Sequence, residues 1–322
     1  MDGIINVYKE RGYTSFDVVA KLRGILHERR IGHTGTLDPE AEGVLPVCVG
    51  SATKACELLL DKEKEYEAVL LFGVETDTQD ITGNVLKRSA VTADFEEAKQ
   101  ALLSFVGTYA QIPPMYSALK INGKKLYEFA REGKVVERAA RQVTIYSIKI
   151  LSDSFSDGGA AHGLPKPEFS DGEFSGGEKT IRFRVTCSKG TYIRALCEDV
   201  GRVLGCGGCM KSLKRTRVSS FLEDDAHTLS EIEQICASGR AGELLMPTER
   251  LFLRYPALCM REWADKSLYN GNKLHEGEVL LWQQAQDTSC FRVYDSNGRF
   301  YALYRYEEGE GCYRNLKMFA PR

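Results

Sequence analysis

Apolar and polar positions change period several times along the chain, and each change predicts an element. IINVYK (residues 4–9) reads as a short strand, and TSFDVVAKLRGILHE (14–28) as an amphipathic helix with Ser15 as N-cap and Phe16, Val19, Ala20 and Ile25 on its apolar side. GHTGTLDPEAEG (32–43) has three glycines and a proline in twelve residues, which predicts a structured loop. VLPVCVG predicts a strand, SATKACELLLDKEK a helix, and KEYEAVLLFGVET (64–76) another strand. From Thr92, DFEEAKQALLSF predicts a helix with acidic residues near its start. A double-proline turn then leads to a second helix, LYEFARE (126–132). RQVTIYSIKIL (141–151) and KTIRFRVTCS (179–188) alternate as strands and are expected to be hairpin partners across the segment between them. That segment, 152–178, is rich in Gly and Ser and without periodicity, which predicts a flexible surface insertion. TYIRALCEDVGRVLG (191–205) predicts a helix ended by glycine. Short strands separated by NG and EG turns fill the C-terminal part, which predicts a small β-rich domain starting near residue 247.

Length agrees with two domains, since 322 residues exceed what one small domain usually holds. No stretch approaches the roughly 20 apolar residues of a membrane span, and the first residues lack an apolar run of signal-peptide length. A cytoplasmic protein is therefore expected. Ten scattered cysteines predict buried reduced thiols; Cys206 and Cys209 form a CxxC pair, half of a zinc or redox motif with no second half. The net charge of −2 conceals local excess: residues 120–149 hold eight Lys or Arg against three Glu, and KSLKRTR (211–217) holds four cations. A phosphate backbone responds to that local field and not to the sum.

Asp38 is the first candidate for chemistry, because it lies among Gly32, Thr34, Gly35, Thr36 and Pro39 in a sharply directed loop. Three readings remain open on local sequence: a turn-capping aspartate, a backbone phosphate cradle, and a catalytic carboxylate. Neither GxxxxGK[ST] nor GxGxxG occurs, which weakens nucleotide binding. Asp38 has no acidic partner of the kind hydrolytic glycosidases use, and His33 lacks metal-ligand spacing. One carboxylate kept ionised by a cation fits this pattern. Arg194 in KGTYIRALCEDV is the candidate cation, given its apolar neighbours. Tyr66 and Tyr192 read as half-buried packing.

GHTGTLDPEAEGVLPVCVGSATK, DKEKEYEAVLLFGVETDTQDITG, IPPMYSALKINGKKLYEFAREG, CSKGTYIRALCEDVGRVLGCGG and LKRTRV, taken in order, closely resemble the tRNA pseudouridine synthase B family, which modifies uridine 55 in the T loop. The resemblance implies an α+β catalytic domain (1–246) with a central mixed, mainly antiparallel β-sheet flanked by helices. It also implies a PUA-like RNA-binding domain (247–322). It implies Asp38, Tyr66 and Arg194 as catalytic residues, with Arg194 pairing with Asp38. His33, Tyr192, Leu213 and Lys9 are implied as substrate-binding or supporting residues, and the basic run adds Lys211, Lys214 and Arg215 as RNA contacts. The chain departs from the family in KERGYTS, where a proline often follows the lysine, and in LKR where LRR is typical. Isomerisation adds and removes no atom, so neither cofactor nor metal is expected. The resemblance implies the tRNA T stem-loop as partner, and a monomer that acts without guide RNA, protein partner or membrane is expected. An RNA-folding chaperone and a synthase for another RNA are the alternatives.

Overall fold

The computed structural model describes residues 1–60, 63–121, 123–155 and 177–319. From the N-terminus run β1 (Gly3–Lys9), α1 (Ser15–Leu26), β2 (Ile31–His33), β3 (Glu42–Val49), a 3-10 turn (Gly50–Ala55) and α2 (Cys56–Leu60). Next come β4 (Lys64–Phe72), β5 (Val74–Thr76), β6 (Val85–Arg88), α3 (Phe95–Leu103), β7 (Gly107–Gln111), β8 (Lys120–Ile121), β9 (Lys124–Lys125) and α4 (Leu126–Arg131). They are followed by β10 (Arg141–Asp153), β11 (Thr180–Cys187), α5 (Ile193–Val203), β12 (Gly208–Val218), β13 (Phe221–Leu222) and α6 (Leu229–Ala237). The last part holds β14 (Ala257–Met260), α7 (Asp265–Tyr269), β15 (Leu274–His275), β16 (Val279–Gln283), β17 (Phe291–Tyr294), β18 (Phe300–Glu307) and β19 (Cys312–Met318). The chain divides into two compact units: residues 1–39, 44–60 and 224–322, and residues 40–43 and 61–223.

In the first unit β1 lies beside β3, and β2 pairs antiparallel with β3, His33 facing Val47. Val18, Val19, Leu22 and Leu26 of α1 pack with Ile5, Val7, Leu45, Val47, Val49 and, from α6, Leu229 and Ile232. This corrects the phase expected for α1. Phe16 is 64 % exposed and Ala20 is also exposed, because the buried stripe runs through residues 15, 18, 19, 22 and 26. The N-cap is Thr14 and not Ser15. Thr14 Oγ1 accepts from the Asp17 N–H while the Asp17 carboxylate accepts from the Thr14 N–H, a reciprocal capping box. The same unit holds a six-stranded sheet in the order β15-β19-β18-β17-β14-β16, around Leu258, Leu268, Leu274, Val293, Ala302 and Tyr304. That sheet is the expected β-rich C-terminal element.

The second unit is built on β12-β4-β11-β10-β7, paired antiparallel throughout. Glu42 and Gly43 add a parallel pairing to Lys214 and Arg215, so the arrangement is mixed and mainly antiparallel, as expected. Gly43 is required there: its φ is +105°, and a Cβ would meet the Arg215 carbonyl oxygen at 2.2 Å. The β10–β11 pairing, Ile148 opposite Val185, confirms the hairpin expectation. The 64–76 stretch breaks in two at Gly73, with φ +84°. The helix expected over 51–64 is a 3-10 turn followed by the short α2. The helix expected from Thr92 begins at Phe95 and is capped by Asp94, whose side chain accepts from the Glu97 N–H. Most of the 152–178 insertion, residues 156–176, lies outside the described residues. Among the described residues no helix is long and apolar enough to cross a membrane.

Candidate active site

Asp38 sits half-buried in the first unit, in a loop held immediately before and after it. Before it, Leu37 N–H donates to Ser15 Oγ at 2.9 Å, which explains why Ser15 is buried beside the loop. After it, the Pro39 carbonyl accepts from Gly12 N–H at 2.9 Å and from Lys9 Nζ at 3.1 Å. Lys9 is fully buried at the end of β1, and its ammonium also donates to the Glu10 carbonyl. A buried lysine must spend its donors on the chain around it; here they fix the residue that follows Asp38. Thr34 anchors the start of the loop, its N–H and hydroxyl both donating to the Pro46 carbonyl at 3.1 Å. His33 closes β2, half-buried.

The candidates of the second unit gather on one sheet face. Along β4 the side chains alternate: Tyr66, Ala68 and Leu70 are buried, while Glu65 and Glu67 point the other way. On β12, Arg215 is directly opposite Tyr66 and Leu213 opposite Ala68, so these four share a face. Arg215 is completely buried and hydrogen-bonded to the Tyr66 phenol, and burial lowers its pKa from the usual arginine value. A guanidinium there is not available to a surface phosphate. Helix α5 lies over the same face: a Cβ at Gly208 would run into the Cys197 carbonyl and the Leu70 side chain. Tyr192, half-buried, is the N-cap of α5.

Arg194 follows in the first turn and is 5 % exposed. Its Nη1 donates to the Thr78 carbonyl and its Nη2 to the Tyr116 carbonyl, each at 2.9 Å, and Nη1 lies 3.7 Å from Asp80 Oδ2. Asp80 is tied down in turn. Its Oδ1 accepts from the Thr78 hydroxyl, the Thr82 N–H and the Thr82 hydroxyl at 2.8, 3.0 and 2.6 Å. The loop is pinned to β12 by Met210 N–H donating to Gln79 O and Ile81 N–H donating to Met210 O. Asp80 escaped the sequence reading; its only signal is the density of Thr and Asp in TDTQDITG.

The other basic-run residues stand apart from the Tyr66 face. Lys214, next to Leu213 and Arg215, projects to the opposite side, where it pairs with Glu223 at 2.9 Å. Lys211 pairs with Glu178, and Arg217 with Glu63 at 2.6 Å. On that outer face Glu67 sits between Arg182 and Arg184; burial pushes its carboxyl up, but both guanidinium bonds bring it below the ordinary value. All ten cysteines are free thiols, buried or half-buried. Cys206 and Cys209 are both buried, burial holding the Cys209 thiol up at about 12. Among the described residues no three His, Cys, Asp or Glu are grouped to hold a metal ion.

Residues 23–193 match the TruB family pseudouridylate synthase N-terminal domain, and residues 194–252 the tRNA pseudouridylate synthase B C-terminal domain. The tRNA pseudouridine synthase B of Lachnoclostridium phytofermentans is 52% identical over 322 residues, covering 99% of this chain and 100% of that protein. That of Alkaliphilus oremlandii is 45% identical over 280 residues, 87% of this chain and 85% of the relative. Among solved structures, a chain of a Cbf5-Nop10-Gar1 complex superposes with a TM-score of 0.68 at 25% identity, covering 99% of this chain and 85% of that one. A chain of an H/ACA RNP bound to a substrate RNA containing 2'-deoxyuridine gives 0.67 at 23%, covering 99% and 86%. The fold is therefore that of the pseudouridine synthases, with a C-terminal sheet consistent with a PUA-like domain. Two contiguous family matches and full-length relatives at up to half identity make this chain a member of the TruB family of pseudouridylate synthases.

Proposed function

We propose that this chain isomerises uridine 55 in the T loop of tRNA to pseudouridine, with Asp38 as the catalytic carboxylate and Tyr66 and Arg194 as its catalytic partners. The observation that carries this reading is a buried guanidinium, Arg194, held by two backbone carbonyls and a carboxylate at the start of the helix that packs over the sheet face bearing Tyr66. Such a group is always charged and is pre-oriented before substrate arrives. The curated relatives that match nearly the whole chain are tRNA pseudouridine synthases B, which supports tRNA as the substrate class.

In the proposed reaction the target nucleotide is everted, which costs a few kcal/mol. The N1–C1′ bond breaks, the uracil turns, and C5 joins C1′; the C5 proton leaves and N1 gains one. Asp38 either adds to C1′ and is displaced when C5 joins it, or takes the 2′ proton and returns it as C5 joins C1′; both routes need an ionised carboxylate. Arg194 pairs with Asp38 and keeps it charged, a contribution of about 3 kcal/mol for one well-placed donor. Tyr66 stacks on the base, with Arg215 fixing its phenol from behind and Leu213 beside it. Lys9 supports the Asp38 loop through Pro39. His33 and Tyr192 contact the rearranged T loop. Lys211 and Lys214 exchange their glutamate partners for phosphates at the periphery. Because atoms are conserved, the reaction requires no redox equivalent and no energy source.

We further assign residues 1–246 to catalysis and 247–322 to RNA binding. We place the protein in the cytoplasm as a monomer that needs neither guide RNA nor protein partner. The test is direct: purified protein is incubated with unmodified tRNA transcripts, and pseudouridine is located by chemical mapping. Modification confined to position 55, without added cofactor, is expected. Modification elsewhere, or none, sinks the assignment.

A further inference from the structure

We propose that Gln111 is a positioning residue: its carboxamide clamps the backbone of Tyr192 and thereby sets where α5 begins and where Arg194 projects. The inference rests on the reading that Arg194 serves the reaction.

Gln111 is the last residue of β7 and is 1 % exposed. Its Oε1 accepts from the Tyr192 N–H at 2.8 Å, and its Nε2 donates to the Tyr192 carbonyl at 3.0 Å. One side chain thus makes both bonds that a paired residue makes in an antiparallel ladder. The amide cannot be turned over, because Tyr192 offers it one donor and one acceptor. Nε2 also donates to the Tyr109 phenol oxygen, which fixes the carboxamide from its own strand.

Tyr192 is the residue at which extended chain becomes helix. Its backbone is extended (φ −101°, ψ 112°), no side chain caps the helix start, and its carbonyl already accepts the first helical bond, from Leu196 N–H. The clamp therefore stands in for a cap, and Arg194 lies two residues further on. Past Gln111 the chain runs through Ile112, Pro113 and Pro114 to Tyr116, whose carbonyl holds Arg194 Nη2. One short segment fixes both the origin of the arginine's helix and the tip of its side chain. An apolar side chain in this buried place would avoid desolvating an amide; an amide is suited to defining position.

The test uses the full-length protein, with single-turnover tritium release from C5-labelled tRNA, tRNA affinity and thermal melting measured in parallel. Gln111→Met keeps the volume and loses both bonds. A shift of the guanidinium on the order of 1 Å should slow turnover about 100-fold, well beyond any loss of tRNA affinity through Tyr192. Gln111→Glu distinguishes positioning from packing. Protonated, the introduced carboxyl again offers one acceptor and one donor; ionised, it sets a negative charge against the Tyr192 carbonyl. Burial raises the pKa of such a group, so this variant should lose rate as pH rises, along a limb absent from wild type and from Gln111→Met. That limb decides the matter even if Gln111→Met fails to fold. A wild-type pH profile for Gln111→Glu, or a loss in Gln111→Met that only follows melting temperature or tRNA affinity, overturns the proposal. Arg194→Lys is run alongside. If it is slow while both Gln111 variants are fast, the clamp alone is refuted; if it is fast, the reading of Arg194 fails and the clamp with it.

Discussion

Replacing Asp80 separates its electrostatic part from its structural part. The carboxylate does two things: Oδ2 faces the Arg194 guanidinium at 3.7 Å, and Oδ1 takes three hydrogen bonds from Thr78 and Thr82. Asp80→Asn keeps an oxygen for those three bonds and loses the charge. Asp80→Ala loses both. Each hydrogen bond contributes about 1 kcal/mol net, so the alanine variant should be roughly 3 kcal/mol less stable than the asparagine variant. At about 1.5 °C per kcal/mol for a chain of 322 residues, from roughly 2.1 cal/mol/K of unfolding entropy per residue, that is a gap of about 4–5 °C in melting temperature. The rate behaves differently. Arg194 and Asp80 expose only 5% and 13% of their side chains, so loss of the opposing charge is poorly screened, and both variants forfeit it equally. Turnover should fall by a similar factor in both, about tenfold or more if the lost orientation is worth about 1.4 kcal/mol or more in the transition state. Melting curves with single-turnover tritium release measure the two quantities. Rates that fall in proportion to melting temperature, or an asparagine variant as fast as wild type, would refute the division.

Lys9→Met removes two charge-assisted bonds to the Glu10 and Pro39 carbonyls, each worth about 1.5–3 kcal/mol; urea unfolding should show the loss and turnover should drop as the Asp38 loop loosens. Unchanged values of both would contradict this. Tyr66→Phe keeps the ring and removes a partner of the buried Arg215, so a destabilisation of about 1.5–3 kcal/mol is expected, and an unaltered melting temperature would be the contrary result. Burial raises the Asp199 carboxyl above its ordinary 3.8, with Arg202 opposing. The folded chain then holds a proton that the unfolded chain has released, so stability falls as pH rises from 3.8 through the raised value. Asp199→Asn should flatten that part of the melting-temperature profile; a profile parallel to wild type would show that the carboxyl does not contribute.

The strands were the most legible feature of the sequence. RQVTIYSIKIL and KTIRFRVTCS alternate because one face is buried, and that alternation placed them together as partners. Helix α1 was legible as a helix but not in phase: Thr14 and Ser15 both make good caps, and what separates them is Leu37, which takes the Ser15 hydroxyl. KSLKRTR read as a cationic run facing RNA. Strand alternation sends Arg215 inward, and Glu63, Glu178 and Glu223, scattered along the chain, pair with Arg217, Lys211 and Lys214. Pairings at that sequence distance leave no local trace. Asp80 and Gln111 were missed for the same reason, since each acquires its part only when the chain returns with α5. Local chemistry nominated Asp38 and Arg194, with a capping aspartate left open beside the catalytic one, and read Tyr66 as packing; the resemblance implied the catalytic roles of all three.

Asp38→Asn is the most direct measurement. The side chain keeps its shape and loses its charge, so the variant should melt as wild type does and bind unmodified tRNA as tightly. It should release no tritium from C5-labelled uridine and leave no pseudouridine in the transcript. Product formed at a rate near that of wild type by a folded, tRNA-bound Asp38→Asn protein would contradict the assignment of the carboxylate.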